Sequence, residues 1–213
     1  MHIPDGMVSG PVNVAAFAVA AAVCGRAAAR AAKTLQEDHA PLLGVTAAFI
    51  FAAQMLNFPV FAGTSGHFLG ALFAAIALGP LNGCLVMTVV LTLQCLLFAD
   101  GGLTALGTNI FNMGIVGGIG GYAVFRSLQA LLPQTRTGFL TSAALASWSS
   151  VVLASAACAG ELAFSGTIPL QAALPAMAGI HAIIGIGEAI ITVAILSTVM
   201  ASRPHLIASW RQG

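Results

Sequence analysis

The nitrogen donors near the start of the chain have the clearest potential for chemistry. The chain opens with Met1 and His2, and another histidine, His67, ends the short run GTSGH. The amine of Met1, the amide nitrogen of His2 and the ring nitrogen of His2 can close two fused chelate rings around one metal ion, and His67 can supply a further nitrogen. A square plane of nitrogens suits Ni(II) or Cu(II), and Co(II) in constrained sites, better than Mg(II), Ca(II) or tetrahedral Zn(II). From composition alone a simpler interpretation competes, in which His2 is a disordered terminal residue and His67 an interfacial side chain.

Other polar residues lie where they could support such a site. They stand at the ends of apolar segments or within them: Gln54, Asn57, Ser65, Asn109, Asn112 and His181. The alternative is that the amides are ordinary caps at span ends and that His181 makes a hydrogen bond in the core. Glu188 shares a helix face with His181. Because it lies mid-span, well inside the level of Met1, we expect it to be a structural or subunit-contact group.

A different reaction class also has to be considered. The run GTSG matches the GxSG pattern of rhomboid-type intramembrane serine proteases, with Ser65 as nucleophile and His181 as base. That chemistry needs a hydrogen bond between serine and histidine. The motif is short and recurs by chance, and Ser65 is expected at the outer mouth while His181 lies further down its own helix. The protease is therefore the weaker hypothesis.

The composition places the chain in a membrane. Of 213 residues, 59% are hydrophobic and only 6% are charged, whereas soluble domains carry about 25% charged residues. The mean hydropathy is +0.99 and the net charge is +1, which excludes a soluble globule and a nucleic-acid-binding surface. The sequence also has no GxxxxGK[ST] loop, so we expect no ATP hydrolysis by this chain.

The apolar runs predict an all-α integral membrane protein with seven transmembrane helices. The segments are residues 12–32, 42–58, 67–78, 81–98, 104–125, 138–159 and 172–200. The third is short for a hydrocarbon core of about 30 Å, so it is either a short tilted span or a re-entrant half-helix.

The charges predict the orientation of these spans. Basic residues concentrate on cytoplasmic loops, so the basic end of the first segment is assigned to the cytoplasm and the N-terminus to the outside. Seven crossings then place every basic residue on the cytoplasmic side: Arg26, Arg30, Lys33, Arg126, Arg136, Arg203 and Arg211. Asp5, Asp100 and Glu161 fall outside, and the C-terminus is cytoplasmic. Met1, His2 and His67 then share the outer surface.

The start of the chain does not resemble a signal peptide. A signal peptide carries a basic region before its apolar run, whereas the first basic residue here is Arg26, after that run. We therefore expect the N-terminus to be retained, as an amine ligand requires.

Several motifs resemble the CbiM/NikM family, the nickel- and cobalt-specific substrate-binding components of energy-coupling factor transporters. They are MHIPDG at residue 1, FAAQMLNFP at residue 51, GTSGHFLG at residue 63, LFADGGLTALG at residue 97 and NIFNMG at residue 109. The resemblance is dense from residue 1 to about residue 125 and continues more loosely to the C-terminus.

The resemblance implies a fold and a ligand set. Family members are seven-helix proteins whose N-terminal segment plugs the bundle from outside, so residues 1–10 would be a plug on one transmembrane domain spanning residues 1–213. The metal would be held by the amine of Met1, the amide and ring nitrogens of His2, and His67. Ala48 and Ala52 would correspond to a small-residue docking contact. The departures at Met7 and Val8 affect plug packing, and the GTSGH form is closer to the nickel branch.

The resemblance also implies partners. We expect a non-enzymatic component of the prokaryotic cytoplasmic (inner) membrane that captures Ni²⁺ or Co²⁺ as transported substrate, with no catalytic cofactor. Transport would require a transmembrane coupling subunit, two ATP-binding subunits and a small accessory membrane subunit. Toppling of the capture subunit in the membrane would be the transport step.

Overall fold

The structure is a computed structural model that describes residues 1–34, 40–56, 58–59 and 65–210. Asn57 and the side chain of Ser65, both proposed from the sequence as supporting the site, lie outside the described part.

The described chain is almost entirely helical, with one two-residue strand pair. The helices are α1 (Gly10–Thr34), α2 (Ala40–Gln54), α3 (Ala71–Leu78), α4 (Pro80–Phe98), α5 (Leu106–Ile110), a π-helical segment (Phe111–Gly120), α6 (Gly121–Leu131), α7 (Arg136–Phe164), α8 (Leu170–Ser202) and a 3₁₀ turn (Pro204–Leu206). Strands β1 (Phe58–Pro59) and β2 (Ser65–Gly66) pair antiparallel. α5, the π-helical segment and α6 follow one another without a break.

Four of the described helices, α1, α4, α7 and α8, are long and apolar enough to cross a membrane. Their ends follow local sequence signals. Pro80 occupies the first turn of α4, where a missing N–H costs nothing, and Thr135 caps α7 by accepting a hydrogen bond from the backbone N–H of Gly138. The expectation of an all-α integral membrane protein is confirmed.

The second and third apolar segments differ from their predicted bounds. α2 ends at Gln54, four residues before the predicted end, and Pro59 keeps the helix from reaching residue 58 because it fixes its own φ and biases Phe58 toward an extended conformation. α3 begins at Ala71 and not at residue 67, after Gly70 with its φ of 72°. Its eight residues span only about 12 Å, and all of them are buried.

The connections between helices gather at two ends of the bundle. At one end, the connections after α4 and α7 contact the first residues of the chain, since the N–H of Gly102 donates to the carbonyl of Ile3 (2.8 Å) and the Thr167 hydroxyl donates to the carbonyl of Met7 (2.5 Å). We call this the N-terminal end.

The other end, which we call the C-terminal end, carries residues 203–210. The N–H of Ala208 donates to the carbonyl of Ala77 at the end of α3 (2.9 Å). The rings of Trp210 and Phe139 lie edge to face with centroids 4.9 Å apart. α3 therefore runs from the level of the N-terminal residues toward the C-terminal end.

Candidate metal-binding site

The first three residues are buried inside the bundle. Met1 and Ile3 are 0% exposed and His2 is 3% exposed. The backbone of Ile3 is held by Asn109 on α5, whose Oδ1 accepts from the Ile3 N–H (2.8 Å) and whose Nδ2 donates to the Ile3 carbonyl (3.2 Å). Asn109 thus pairs with the N-terminal segment as a neighbouring strand would.

The loop between α4 and α5 forms the second wall around the N-terminal segment. Gly101 has a φ of 91°, and a side chain there would meet Asn109 Nδ2 at 2.9 Å and His2 Nδ1 at 3.2 Å. Glycine is required both by this backbone conformation and by the closeness of His2. Asp5 attaches the N-terminal segment to this loop, because its carboxylate accepts hydrogen bonds from the N–H (2.7 Å) and the hydroxyl (2.5 Å) of Thr104. These hydrogen bonds lower the pKa of the Asp5 carboxyl.

His67 faces the N-terminal segment with one ring nitrogen available. Its Nδ1 lies 2.7 Å from the carbonyl oxygen of Phe68, and because a carbonyl only accepts, Nδ1 carries the proton. Nε2 therefore keeps its lone pair, and it is buried without a hydrogen-bond partner among the described residues. The centroids of the His2 and His67 rings are 4.6 Å apart, although the two residues are far apart in the sequence.

Burial favours the neutral forms of the Met1 amine and the His2 ring. Only the neutral forms have a lone pair that could be donated to a cation. Loss of solvation lowers the pKa of the Met1 amine from 8.0 to about 6, against smaller opposing effects of Cys158 and Asp100. Loss of solvation, helped by the nearby charge of the amine, lowers the pKa of His2 to about 3. Near neutral pH neither group has to lose a proton before it can donate a lone pair.

The remaining polar residues proposed from the sequence make hydrogen bonds in different parts of the bundle. Gln54 donates from Nε2 to the carbonyl of Leu69 (2.6 Å), so this hydrogen bond goes to the His67 loop. Asn112 donates to Glu161 (2.5 Å). His181 is buried, with Nδ1 2.7 Å from the carbonyl of Met177 and Nε2 without a hydrogen-bond partner among the described residues.

The sequence reasoning missed one residue beside the site. Oδ2 of Asp100 lies 3.8 Å from Nε2 of His2, a distance beyond a hydrogen bond but close enough to orient the ring after a small movement. Its position in the LFADGG motif was the available signal. From the sequence, Asp100 is predicted only to lie on the outer side of the membrane.

Side chains alone do not form a metal cluster here. Among the described residues, no group of three or more His, Cys, Asp or Glu side chains is placed to hold a metal ion. A site built on His2 and His67 would therefore take its further ligands from other groups, and the Met1 amine and the His2 amide nitrogen are available nearby in the chain.

No contact in the described part of the chain supports the protease hypothesis. His181 directs Nδ1 to a backbone carbonyl, and Nε2, the nitrogen that would serve as base, has no described partner. The known proteins described below, which resemble this chain, are all named for transport.

The fold and the site define a class of protein, namely a multi-pass membrane protein with buried nitrogen donors at the start of its chain. Residues 2–206 match the family described as the cobalt uptake substrate-specific transmembrane region, CbiM. The chain belongs to this family, as the sequence motifs predicted. It is therefore a membrane component of cobalt uptake, located in the prokaryotic cytoplasmic membrane, and proteins named for nickel transport are among its relatives.

Individual relatives agree with the family match. The chain is 41% identical to a protein of Haloquadratum walsbyi named for metal transport, over 97% of this chain and 93% of the relative. It is 41% identical to a protein of Archaeoglobus fulgidus named as a fused nickel transport protein, NikMN, over 97% of this chain and 68% of the relative. A crystal structure of a truncated transition metal transporter superposes with a TM-score of 0.88 at 31% identity, covering 94% of this chain and 99% of the other.

Proposed function

We propose that the chain captures Ni²⁺ or Co²⁺ from the outer side of the membrane, with nickel slightly favoured, through the Met1 amine, the amide and ring nitrogens of His2, and Nε2 of His67. The observation that carries the proposal is the contact between the His2 and His67 rings beside the buried amine, with a centroid distance of 4.6 Å.

The separation of the rings fits a square-planar site. In the fused chelate, Nδ1 of His2 and the amine occupy opposite corners, which leaves His67 opposite the amide and next to the His2 ring. With metal–nitrogen bonds of about 2.0 Å, imidazoles at adjacent corners have ring centres ~4.4 Å apart, whereas opposite corners would separate them by ~6 Å. The distance of 4.6 Å matches the adjacent arrangement.

We further propose that the bundle crosses the membrane seven times, with the N-terminal end outside and the C-terminal end in the cytoplasm. Asp5, Asp100 and Glu161 belong to the N-terminal end, and basic residues of the connections, such as Arg136 and Arg203, belong to the C-terminal end. The positive-inside rule favours this orientation. α3 together with the extended residues before it would form the third crossing.

The domain organisation follows from the same proposal. Residues 1–213 would form one transmembrane domain, with residues 1–10 as a plug that closes the site from outside. The burial of Met1, His2 and Ile3 supports this role, as do the hydrogen bonds from Asn109.

Transport would depend on partner subunits. We propose a transmembrane coupling subunit, two ATP-binding subunits and a small accessory membrane subunit, as in energy-coupling factor importers. Ala48 and Ala52 on α2 are exposed, and small residues permit close helix contact, so this face could dock the coupling subunit. Toppling of the loaded chain would then deliver the metal.

Extending the N-terminus tests the ligand set. Two residues added before Met1 should abolish high-affinity Ni(II) binding and the low-spin absorption band, because the amine is converted to an amide. The same two residues added after Gly213 are the control and should leave affinity unchanged. Undiminished binding by the N-terminally extended protein, folded by size-exclusion and circular dichroism, would refute the proposal.

Replacing His67 tests the remaining ligand. His67→Ala should lower Ni(II) affinity and shift the ligand-field spectrum, since an imidazole in the plane is replaced by solvent. His205→Ala, at the exposed C-terminal end, is the matched control and should bind like wild type. An unchanged spectrum for His67→Ala would contradict the assignment.

A further inference from the structure

Glu188 on α8 makes an unusual pair of contacts with the His67 loop. It is 1% exposed, and its Oε2 and Oε1 accept the backbone N–H groups of Leu69 and Gly70 respectively, each at 2.7 Å. These residues are 118 and 119 positions away in the chain. Burying a carboxylate in an apolar bundle costs free energy, so we expect these hydrogen bonds to have a functional role.

The first of these contacts connects Glu188 to His67 through a single peptide group. The N–H of Leu69 and the carbonyl of Phe68 belong to the same peptide bond. That carbonyl accepts the Nδ1 proton of His67 at 2.7 Å. The result is a continuous chain of hydrogen bonds from the carboxylate, through the peptide, to the histidine ring.

This series of hydrogen bonds affects the electronic properties of the His67 ring as well as its position. Hydrogen bonds in series polarise one another in a low-dielectric interior. A carboxylate that accepts from the peptide N–H makes the peptide carbonyl a better acceptor for the Nδ1 proton. This keeps the proton on Nδ1, leaves the lone pair on Nε2 and raises the basicity of that nitrogen, as a carboxylate bonded directly to a metal-binding histidine does.

The same loop is held from the opposite side by two glutamines. Gln54 on α2 donates to the carbonyl of Leu69 at 2.6 Å, and Gln94 on α4 donates to Oε1 of Gln54 at 3.0 Å. The backbone at Leu69 is therefore fixed by α2 and α8 together. With the backbone fixed in this way, the His67 ring has little freedom to leave its position.

We propose that Glu188 is a positioning residue of the metal site, which acts through the peptide bond between Phe68 and Leu69 to fix the tautomer and direction of the His67 ring. The inference rests on the proposed function, because it takes His67 as a metal ligand.

The first test replaces the carboxylate. Glu188→Gln keeps the shape but can accept only one of the two N–H groups, since its amide nitrogen is itself a donor. Ni(II) affinity should fall by about 10–100-fold, with a shifted ligand-field band. Thr192→Val is the matched control: Thr192 is one turn further along α8 and buried, and its hydroxyl lacks a described hydrogen-bond partner, so this isosteric change should leave affinity and spectrum unchanged.

A double-mutant cycle separates the positioning role from a general structural one. If Glu188 acts through His67, adding Glu188→Gln to His67→Ala should cause no further loss of affinity. Independent, multiplying losses would overturn the inference, and so would wild-type affinity in the single Glu188→Gln variant. Either of these two contradicting results would leave the proposed function intact. Wild-type affinity in His67→Ala, in contrast, would refute His67 as a metal ligand.

A measurement on the unsubstituted protein keeps the inference testable if the variants fail to fold. Nitrogen NMR of metal-free protein labelled at histidine and phenylalanine should report the Nδ1–H tautomer for His67, whose signals can be assigned because no other histidine in the sequence is followed by a phenylalanine. A predominant Nε2–H tautomer would overturn the inference.

Discussion

At the scale of single residues, the amine of Met1 has the most distinctive environment. It is fully buried, and the loss of solvation lowers its pKa to about 6. A terminal amine in water is mostly protonated at neutral pH and would repel a divalent cation. Burial removes that obstacle, so the amine can serve as a ligand in the proposed site.

The pH dependence of metal binding should reflect these residue environments. In the proposed site the His2 amide loses a proton to the solvent on binding, so Ni(II) affinity should rise about tenfold per pH unit above pH 7. Below pH 6 the amine is also protonated, since that is its pKa, and the slope should approach two decades per unit. Competition titrations with a chelator of known proton affinity would measure both slopes. A flat profile between pH 7 and pH 8 would exclude amide coordination.

A second residue-scale prediction concerns Gly101. Gly101→Ala should weaken Ni(II) binding by at least tenfold, because the new methyl would meet Asn109 and His2 at 2.9 Å and 3.2 Å and displace the chelating residue. Gly166→Ala is the matched control, since Gly166 also has a positive φ, of 72°, but has open space around it. Both variants should lose some thermal stability from backbone strain. Equal metal affinities in the two variants would show that contact with His2 is unimportant.

At the scale of helices, close packing depends on glycines at particular contacts. A side chain at Gly107 would meet Phe17 of α1 at 2.6 Å from its Cα atom, so α1 and α5 approach backbone to backbone. Gly83 makes a similar contact between α4 and the backbone of Ala75 in α3. Small residues are enriched at such crossings because they let the backbones approach closely, and in a membrane, where water does not drive helix association, the resulting van der Waals packing contributes to it.

The contact between α1 and α5 should therefore be sensitive to one methyl group. Gly107→Ala should lower the thermal midpoint in detergent, corresponding to a loss of about 1–3 kcal/mol from overpacking, and should also weaken metal binding because α5 carries Asn109. Gly25→Ala, on α1 with open space around it, is the comparison and should be neutral or slightly stabilising. If both variants melt like wild type, the close approach of the helices has no energetic importance.

At the scale of the whole molecule, the two ends of the bundle differ in chemistry. The N-terminal end carries the nitrogen site and its acidic neighbours Asp5 and Asp100, and the C-terminal end carries the basic loops. The orientation of the bundle would therefore determine which compartment supplies the metal to the proposed site.

Labelling of cysteines introduced one at a time tests that orientation. Leu103→Cys, at a position 61% exposed at the N-terminal end, should react with a membrane-impermeant maleimide in intact cells. Thr137→Cys, exposed near the start of α7, should react only after the cells are opened. The parent protein, whose native cysteines are buried or half-buried, gives the background. The reverse pattern of labelling would invert the proposed topology.

The sequence predicted that the chain is a helical membrane protein, because long apolar runs are visible in the local composition. It also predicted the family, because the family motifs are short stretches of local sequence. Helix ends were less predictable, as at α2, where Pro59 introduces an extended pair before His67. His2 and His67 were predicted to share a surface from topology, and in the structure their rings are in contact.

Two contacts could not be predicted from the sequence. Glu188 was expected to be a structural or subunit-contact group because it lies mid-span, and its particular partners could not be predicted because they are backbone N–H groups, which carry no side-chain signal. Asp100 was recognised as an outer acidic residue, yet its closeness to His2 depends on the turn at Gly101. Both relationships arise from how distant segments fold together and not from residue type.

The separation of charge between the two ends also makes the molecule an electric dipole. Among the described residues, the basic side chains belong to the half nearer the C-terminal end: Arg26, Arg30, Lys33, Arg126, Arg136 and Arg203. With that end in the cytoplasm, an inside-negative voltage holds the dipole upright, because carrying one elementary charge across 100 mV costs about 2.3 kcal/mol. Tilting the bundle toward the membrane plane moves several cations outward against that field, so an energised cell would resist toppling more strongly than a depolarised one.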